Sequence, residues 1–209
     1  MQITIFGASG KVGSLVVAQA LKQGYSVVAF VHSRSRLPEN PNLRTVKGDI
    51  YNAQDVAKAV AGSKAVISAL GSWGTPKKDV LTVAMRHIIP AVQSGTRIIS
   101  LTGSDARADG DSLSLLHRLS HASIKLVPGV KKILADGEEH IHLLEASGLD
   151  WTVIRSPVMN ERGNPEHATL TDKRPAPWGT INRHAVAASL VDLIDNGQYS
   201  RQAPFIART

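Results

Sequence analysis

The chain has 209 residues, a length that suffices for one well-buried domain and is short for two. Hydrophobic residues account for 43% and charged residues for 20%, as in ordinary globular proteins, and the lack of cysteine excludes disulfides and thiolate chemistry. The formal net charge is +7, but Lys and Arg are dispersed and aromatic residues make up only 4%. This pattern disfavours nucleic acid as a partner and favours a small polyanionic ligand.

The sequence carries no signal for a membrane. Its apolar runs are far shorter than the roughly 20 residues that span a bilayer. Its first residues enter a strand pattern directly, without the basic and long apolar regions of a signal peptide. We therefore expect a cytoplasmic protein with no membrane partner. We also expect a monomer or a small homo-oligomer.

Apolar segments of strand length alternate with amphipathic segments of helix length along the chain. In chain order the first are QITIFG, KVGSLVVAQALKQG, YSVVAFVH, LRTVKGD and NAQDVAKAVAGS. They are followed by KAVISALG, KKDVLTVAMRHIIPAVQSG, TRIISLTG, KKILADGEEHIHLLEASG, DWTVIRSPV, NRHAVAASLVDLIDNG and APFIART. Continuous β-branched runs separated by helices predict a parallel sheet with helices on both faces, a Rossmann-like doubly wound α/β fold.

Two irregular segments interrupt this alternation, near residues 103–130 and 158–180. The first follows the fifth predicted strand, where a doubly wound sheet usually builds its ligand crevice. We expect both segments to border a substrate pocket, the alternative being that they are solvated surface loops. Because no linker separates them from the rest, the sequence predicts a single domain over residues 1–209.

Three glycines, Gly7, Gly10 and Gly13, follow the first predicted strand and open the first predicted helix. A strand before, a helix after and a second strand near residue 30 are the context of a dinucleotide-binding turn. Gly7 permits the turn, Gly10 lets the backbone approach a pyrophosphate, and Gly13 allows close helix-sheet packing. The alternative is a tight turn without ligand. We predict a single NAD(P)-binding domain whose pyrophosphate cradle comprises Gly7, Ala8, Ser9, Gly10, Lys11, Val12 and Gly13.

The end of the second predicted strand reads FVHSRSRLPEN and lacks the acidic residue that holds an unphosphorylated adenosine ribose. His32, Arg34 and Arg36 stand there instead. Arginine pairs with phosphate in a bidentate fashion, so this set favours NADP(H), with NAD(H) as the alternative cofactor. The other interpretation is a basic surface loop. Asp49 and Ile50, at the end of the third predicted strand, are placed to contact the adenine.

The motifs FGASGKVG, GDI, ISALG and LLEASGLDWTVIRSPVM, in this order, resemble the atypical short-chain dehydrogenase/reductase superfamily. Within it, GYSVVAFVHSRSRLPEN and DVAKAVAGSKAVISALG are most similar to the biliverdin-IXβ reductase/flavin reductase group and related NmrA-like NAD(P)H-binding proteins. The resemblance implies that Arg36 binds the 2′-phosphate, with His32 where the group usually has a second arginine. It also places Ala69, Leu70 and Gly71 along the cofactor.

The resemblance further implies which residues surround the nicotinamide. Thr102 and Ser104, at the end of the fifth strand, are the predicted catalytic residues. Ser156, Pro157 and Val158 are expected to close over the other side of the ring. Val158 replaces a histidine of the flavin reductase group.

The Tyr-x-x-x-Lys pair of ordinary short-chain dehydrogenases is missing, because no tyrosine has a lysine four residues later. Gly137 stands where many atypical relatives carry a lysine. Hydride transfer to a flavin, quinone or similar planar conjugated acceptor needs less help from a protein acid. The sequence therefore predicts an NADPH-dependent reductase with a small-molecule acceptor, the alternative being a non-catalytic redox sensor of the NmrA-like type.

Remaining candidates are histidines and tryptophans. His140 and His142 point in different directions on a helix, so no metal site is predicted. His140 is interpreted as a proton donor reaching the pocket or as an ordinary surface histidine. Trp73 is expected either to cover the nicotinamide or acceptor or to pack into its loop. Trp151 is expected in the core, and Trp178 is expected to be a pocket lid.

Overall fold

The computed structural model describes residues 1–33, 37–73, 75–112, 114–124, 127–165 and 168–208. Its strands are β1 (Gln2–Phe6), β2 (Ser26–Val31), β3 (Leu43–Lys47), β4 (Ala65–Ser68), β5 (Arg97–Gly103), β6 (Asp150–Ser156), β7 (Val158–Asn160), β8 (Thr169–Thr171), β9 (Thr180–Asn182) and β10 (Phe205–Ala207). Its helices are α1 (Gly13–Lys22), α2 (Ala53–Val60), α3 (Val80–Ala91), α4 (Leu115–Ile124), α5 (Val130–Glu145) and α6 (Arg183–Asp192). Among these described helices, none is long and apolar enough to cross a membrane.

Eight strands form one sheet in the order β3-β2-β1-β4-β5-β6-β10-β8, and β7 pairs with β9 in a separate two-stranded sheet. Neighbouring strands from β3 to β10 are parallel, whereas β8 runs antiparallel to β10. This arrangement confirms the predicted Rossmann-like doubly wound α/β fold. The antiparallel edge was not foreseen, because a strand of three residues is too short to show a period.

The strands separate two layers of core because successive side chains point to opposite faces of a sheet. Ile3 and Ile5 of β1 pack with buried residues of α1 and α6. Phe6 packs on the opposite face with residues of α2, α3 and α5, its ring centroid 4.9 Å from that of Phe30. Helices thus cover both faces, as predicted, and the carboxyl ends of the parallel strands meet at one edge of the sheet.

The two segments predicted to be irregular contain regular structure. The segment near 103–130 includes α4 and the start of α5, and the segment near 158–180 includes β7, β8 and the start of β9. Their positions after β5 and β6 place them at the carboxyl edge of the sheet. Trp151 of β6 is buried, which confirms that it belongs to the core.

Candidate active site

The turn between β1 and α1 leaves no room for a side chain at two of its positions, Gly7 and Gly13. Gly7 has φ +74°, and a Cβ there would lie 2.8 Å from the carbonyl oxygen of Ala69. The amide of Gly10 donates a 2.9 Å hydrogen bond to the Gly7 carbonyl oxygen. A Cβ on Gly13 would lie 2.0 Å from that same oxygen. The glycines therefore let the turn close tightly against the end of β4.

The first turn of α1 has no side-chain cap, and its Ser14 amide donates to the carbonyl oxygen of Gly10 at 3.0 Å. Val12 precedes the helix without a capping hydrogen bond from its side chain, and the first turn contains no acidic residue. Ser9, Gly10 and Lys11 are exposed, whereas Ala8 and Gly13 are buried. Uncapped amides at the positive end of a helix fit an anion, so the predicted cradle is compatible with a pyrophosphate.

The end of β4 lies beside this turn. The amide of Ala69 donates to the carbonyl oxygen of Phe6 at 3.0 Å, which extends the pairing of β1 and β4 past the strands themselves. Ala69 and Leu70 are half-buried, and Gly71 is exposed. Chain order reverses between β1 and β4, and a doubly wound fold binds its ligand in the crevice at such a reversal.

The ends of β2 and β3 form the side of the crevice predicted to receive the adenosine. His32 is exposed directly after β2, and Arg34 and Arg36 lie outside the described residues. Asp49 is half-buried, and its carboxylate accepts the amide of Tyr51 at 3.0 Å. The carbonyl oxygen of Ile50 lies 2.8 Å from Nδ1 of His87. Part of the hydrogen-bonding capacity of Asp49 and Ile50 is therefore used to shape this loop.

The ends of β5 and β6 form the opposite side. The amide of Ser104 donates to the Ser156 carbonyl oxygen at 2.8 Å, so the two strand ends are held together. The Ser156 hydroxyl is buried and donates to the carbonyl oxygen of Pro157 at 2.9 Å. Val158 is 70% exposed. Ser104 is half-buried, whereas Thr102 is buried and faces α5, since a Cβ on Gly137 would lie 2.7 Å from its Oγ1.

Asp136 of α5 is a buried residue that the sequence analysis missed. Its carboxylate accepts the amides of Leu81 and Thr82 at 3.1 and 2.8 Å and the hydroxyl of Ser72. It therefore caps the start of α3, where Asp79 makes no capping bond, and holds the segment that follows Gly71. The available signal was an aspartate at an apolar position of an amphipathic helix.

Both interpretations of His140 were wrong, because its side chain is fully buried in α5. Its Nε2 lies 3.3 Å from the Ser100 hydroxyl, and its Nδ1 lies 2.8 Å from the carbonyl oxygen of Gly137. Burial lowers its pKa to about 4, with the Gly137 carbonyl and Asp136 acting in the opposite direction. His140 is therefore a neutral core residue at neutral pH.

All three tyrosine hydroxyls have partners. Tyr25 donates to Asp195, and burial together with this bond raises its pKa to about 12. Tyr51, beyond β3, donates to Asp79 at 2.7 Å, and burial, with that bond, raises its pKa. Tyr199 donates to the carbonyl oxygen of Leu170 at 2.9 Å. These contacts therefore engage the hydroxyls of all three tyrosines within the protein.

Exposed apolar side chains follow the strand ends. Trp73 is 63% exposed after β4, and Trp178 is 74% exposed before β9. A Cβ on Gly179, next to Trp178, would lie 3.7 Å from Cβ of Pro157. The segment that carries Trp178 therefore lies next to Pro157, directly after β6. Neither Trp73 nor Trp178 is packed into the core.

The second histidine considered for metal binding lies on the surface. Nδ1 of His142 is 3.1 Å from Oε2 of Glu145 and 3.8 Å from Oδ1 of Asp109. One histidine and two carboxylates, those of Asp109 and Glu145, are thus close together. The absence of a bound metal stays a prediction.

The strand order, the glycine turn and the uncapped helix define a nicotinamide-dinucleotide-binding Rossmann protein. Residues 7–197 match the family of NAD(P)H-binding proteins, and the chain therefore belongs to that family. This match confirms the NAD(P)H-binding character that the sequence resemblance implied. The chain's class is that of NAD(P)H-binding proteins.

Individual relatives are similar in part or in fold. A segment of 61 residues, 29% of this chain, is 46% identical to a 3-beta-hydroxysteroid dehydrogenase of Mycolicibacterium neoaurum and covers 17% of that enzyme. The chain spans less than half the length of the curated relatives it matches.

Solved structures extend the likeness to the whole chain. An anaerobilin reductase from Escherichia coli O157:H7 has a TM-score of 0.73 at 19% identity, covering 100% of this chain and 97% of that one. SP1627 from Streptococcus pneumoniae TIGR4, proposed to be an NADH-flavin reductase, has a TM-score of 0.78 at 18% identity over 100% of both chains. At these identities the likeness shows the fold.

Proposed function

We propose that the protein is an NADPH-dependent reductase that transfers hydride to a flavin, quinone or similar planar conjugated acceptor. The observation that carries the proposal is the chemistry at the ends of β4, β5 and β6. Serine and threonine hydroxyls and exposed apolar side chains line these ends, whereas the hydroxyls of all three tyrosines already donate to other protein groups. Such a site suits an acceptor that needs little proton donation from the protein.

The chain's own groups bind and orient both reactants in this proposal. The amides of the glycine turn hold the pyrophosphate, and Arg34 and Arg36 pair with the 2′-phosphate. The bound cofactor supplies the hydride. Asp136 positions the segment around Ser72 through their hydrogen bond, and this segment carries Trp73 beside the reacting ring.

At the acceptor side, Ser104 is the accessible hydroxyl, and Thr102 lies deeper. Ser104 donates a hydrogen bond to the acceptor and passes on a proton taken from solvent. Trp73, Val158 and Trp178 offer apolar surface for a planar ring and exclude water from it.

The direct test is turnover by the purified protein. NADPH is mixed with a panel of flavins, quinones and aldehydes, and loss of the nicotinamide absorbance is followed. We expect turnover with flavins or quinones. No turnover with any member of the panel would contradict the proposal.

Removing the hydroxyl of Ser104 or Thr102 should affect turnover more than cofactor binding. Ser104→Ala and Thr102→Ala are each expected to lower kcat about 3- to 10-fold, the loss of one hydrogen bond, with the NADPH Kd within about 2-fold. Thr45→Ala, at an exposed position of β3, is the matched control. Unchanged kcat in both variants would place the chemistry elsewhere.

Cofactor choice tests the predicted 2′-phosphate site. A charge-assisted hydrogen bond contributes about 1.5–3 kcal/mol, so Arg36→Ala should weaken NADPH about 10- to 100-fold, and Arg34→Ala less. NADH lacks the phosphate, so its Kd should hardly change. The difference in Kd between NADPH and NADH should become smaller with added salt, because salt screens exposed ion pairs. Parallel titrations with Arg44→Ala as control decide the matter, and equal losses for both cofactors would contradict this role.

A second candidate function is a non-catalytic redox sensor of the NmrA-like type. The engagement of every tyrosine hydroxyl favours it as well, because a sensor needs no acid. Similar affinities for oxidised and reduced cofactor, together with no turnover, would support the sensor over the reductase.

A further inference from the structure

A cavity of about 600 Å³ lies beside the ends of β5 and β6, outside the predicted cofactor cradle. The segment leading into α4, residues 172–174 after β8, and residues 202–205 leading into β10 contribute to its wall. Its most buried charged lining residues are Arg155, Arg174 and Asp111, beside the buried ring of Phe205. Charged groups so far from solvent need partners of opposite charge. Here the numbers of positive and negative groups are not equal.

One carboxylate serves two guanidinium groups in this cavity. Asp111 accepts from Nη1 of Arg155 and from Nη2 of Arg174, the latter at 2.9 Å. Both guanidinium groups also lie over the ring of Phe205, with their central carbons 3.8 and 4.7 Å from its centroid. The aromatic face and the carboxylate hold the two cations close together.

Two guanidinium groups thus face one carboxylate in the inner wall, which carries a net positive charge. Beyond the wall, half-buried Asp105 favours the charged form of Arg174 and exposed Arg107 opposes it. Asp109, Asp172 and Lys173 also line the cavity, but they are exposed, and solvent screens their charges. Burial lowers the pKa of the Arg174 guanidinium from its usual range, and Asp111 offsets only part of this effect. Hydrogen bonds to described residues use Nε and Nη1 of Arg155 and both terminal nitrogens of Arg174. Nη2 of Arg155 and Nε of Arg174 remain as donors for an oxyanion.

This positive charge adjoins the acceptor side of the site. Nη1 of Arg174 donates to the carbonyl oxygen of Ser104, the predicted catalytic residue. Four strands, β1, β4, β5 and β6, separate β10 from β2, where the 2′-phosphate is expected. At about 4.8 Å per strand the two positions are roughly 24 Å apart. One dinucleotide phosphate cannot occupy both positions.

We propose that this cavity binds the anionic arm of the acceptor, a phosphate or carboxylate attached to its planar ring. The proposal rests on the proposed reductase function, because it assigns the cavity to the same acceptor. The ring lies near Ser104, and the arm reaches the two arginines. The acceptor class is thus narrowed to anionic conjugated molecules.

Paired probes that differ in one anionic group, a phosphate or a carboxylate, test this assignment. Kd values are measured by fluorescence or absorbance titration in the presence of oxidised NADP⁺, for FMN against riboflavin and for anthraquinone-2-carboxylate against 2-hydroxymethylanthraquinone. The charged member of at least one pair should bind about 10-fold more tightly, and the preferred pair identifies phosphate or carboxylate. Equal binding within both pairs would overturn the proposal.

Variants separate recognition of the anion from support of the loop. Arg174→Gln leaves Arg155 and Asp111 as a neutral pair, so it should weaken the charged probe about 10-fold and the neutral probe less than 2-fold. Arg44→Gln removes an equal charge from the exposed face of β3 and should change neither. Equal losses for both probes would mean that Arg174 only supports Ser104, and this would overturn the assignment.

A second variant works in the opposite direction and covers the case in which Arg174→Gln does not fold. Asp111→Asn removes the competing carboxylate, so the charged probe should bind at least as tightly as in the wild type, with circular dichroism verifying the fold. Weaker binding of the charged probe in folded Asp111→Asn would contradict the proposal. Turnover with NADPH is recorded separately. Tighter binding of the charged probe without any turnover would contradict the reductase function and leave the anion-binding assignment standing.

Discussion

Replacing Gly13 with alanine is expected to abolish NADPH binding and to lower the free energy of unfolding by about 3 kcal/mol or more. A Cβ at this position would lie 2.0 Å from the carbonyl oxygen and 2.6 Å from the carbonyl carbon of Gly7. Both contacts are to backbone, so no side-chain rotation relieves them. The turn would have to open, and the amides of α1 would lose their alignment toward the pyrophosphate.

Two other glycines provide the controls for this experiment. A Cβ on Gly10 would lie 3.1 Å from the Gly7 carbonyl oxygen, so Gly10→Ala should retain most of the stability and still weaken NADPH by blocking its approach. Gly197→Ala, where a Cβ meets nothing within 4 Å, should change neither quantity. Urea denaturation and cofactor titration measure the two effects. Parental stability and affinity in Gly13→Ala would refute this account of the turn.

Acid should destabilise the protein through His140, by about 3 kcal/mol between pH 7 and pH 4. The folded-state pKa is about 4, and the unfolded value is about 6.5. Between these values the unfolded chain binds a proton that the folded chain does not, so the stabilisation is complete above pH 6.5 and declines as pH falls toward 4. The difference of about 2.5 pKa units, at about 1.36 kcal/mol each, sets the magnitude.

The contribution of His140 is isolated by comparing variants. His140→Gln should lower stability at pH 7 and flatten the pH dependence of the unfolding free energy between pH 7 and pH 4. His142→Gln, on the exposed side of α5, should keep the wild-type slope. Urea denaturation at several pH values gives each slope. Parallel curves for wild type and His140→Gln would assign the acid sensitivity to other groups.

The two predictions differ in how far they could be anticipated from the sequence. The glycine turn is local, because Gly7, Gly10 and Gly13 lie within seven residues and their spacing with the flanking strand and helix implies close contacts. The burial of His140 is not local. The sequence analysis interpreted it as a proton donor reaching the pocket or as a surface histidine, but α5 packs on the sheet so that His140 meets Ser100 of β5.

The sequence by itself determined the alternation of strands and helices, and from it the doubly wound fold and the position of the crevice. These follow from side-chain periodicity and from the handedness of crossovers, which act over short stretches of chain. The cofactor-binding family could be anticipated for the same reason. The three-residue β8 escaped prediction because its direction depends on pairing with β10, more than thirty residues later.

Only the tertiary structure decided how charged residues distant in sequence share partners. Asp136 caps α3 from 54 residues away, and Asp111 joins Arg155 and Arg174 across 44 and 63 residues. No spacing rule relates such positions, because folding must first bring the strands and loops together. A buried charge then takes whichever partner lies within hydrogen-bond distance, since desolvation makes an unpaired one costly. The cluster of Asp111, Arg155 and Arg174 was therefore decided by packing, whereas the glycine turn could be predicted from the first thirteen residues.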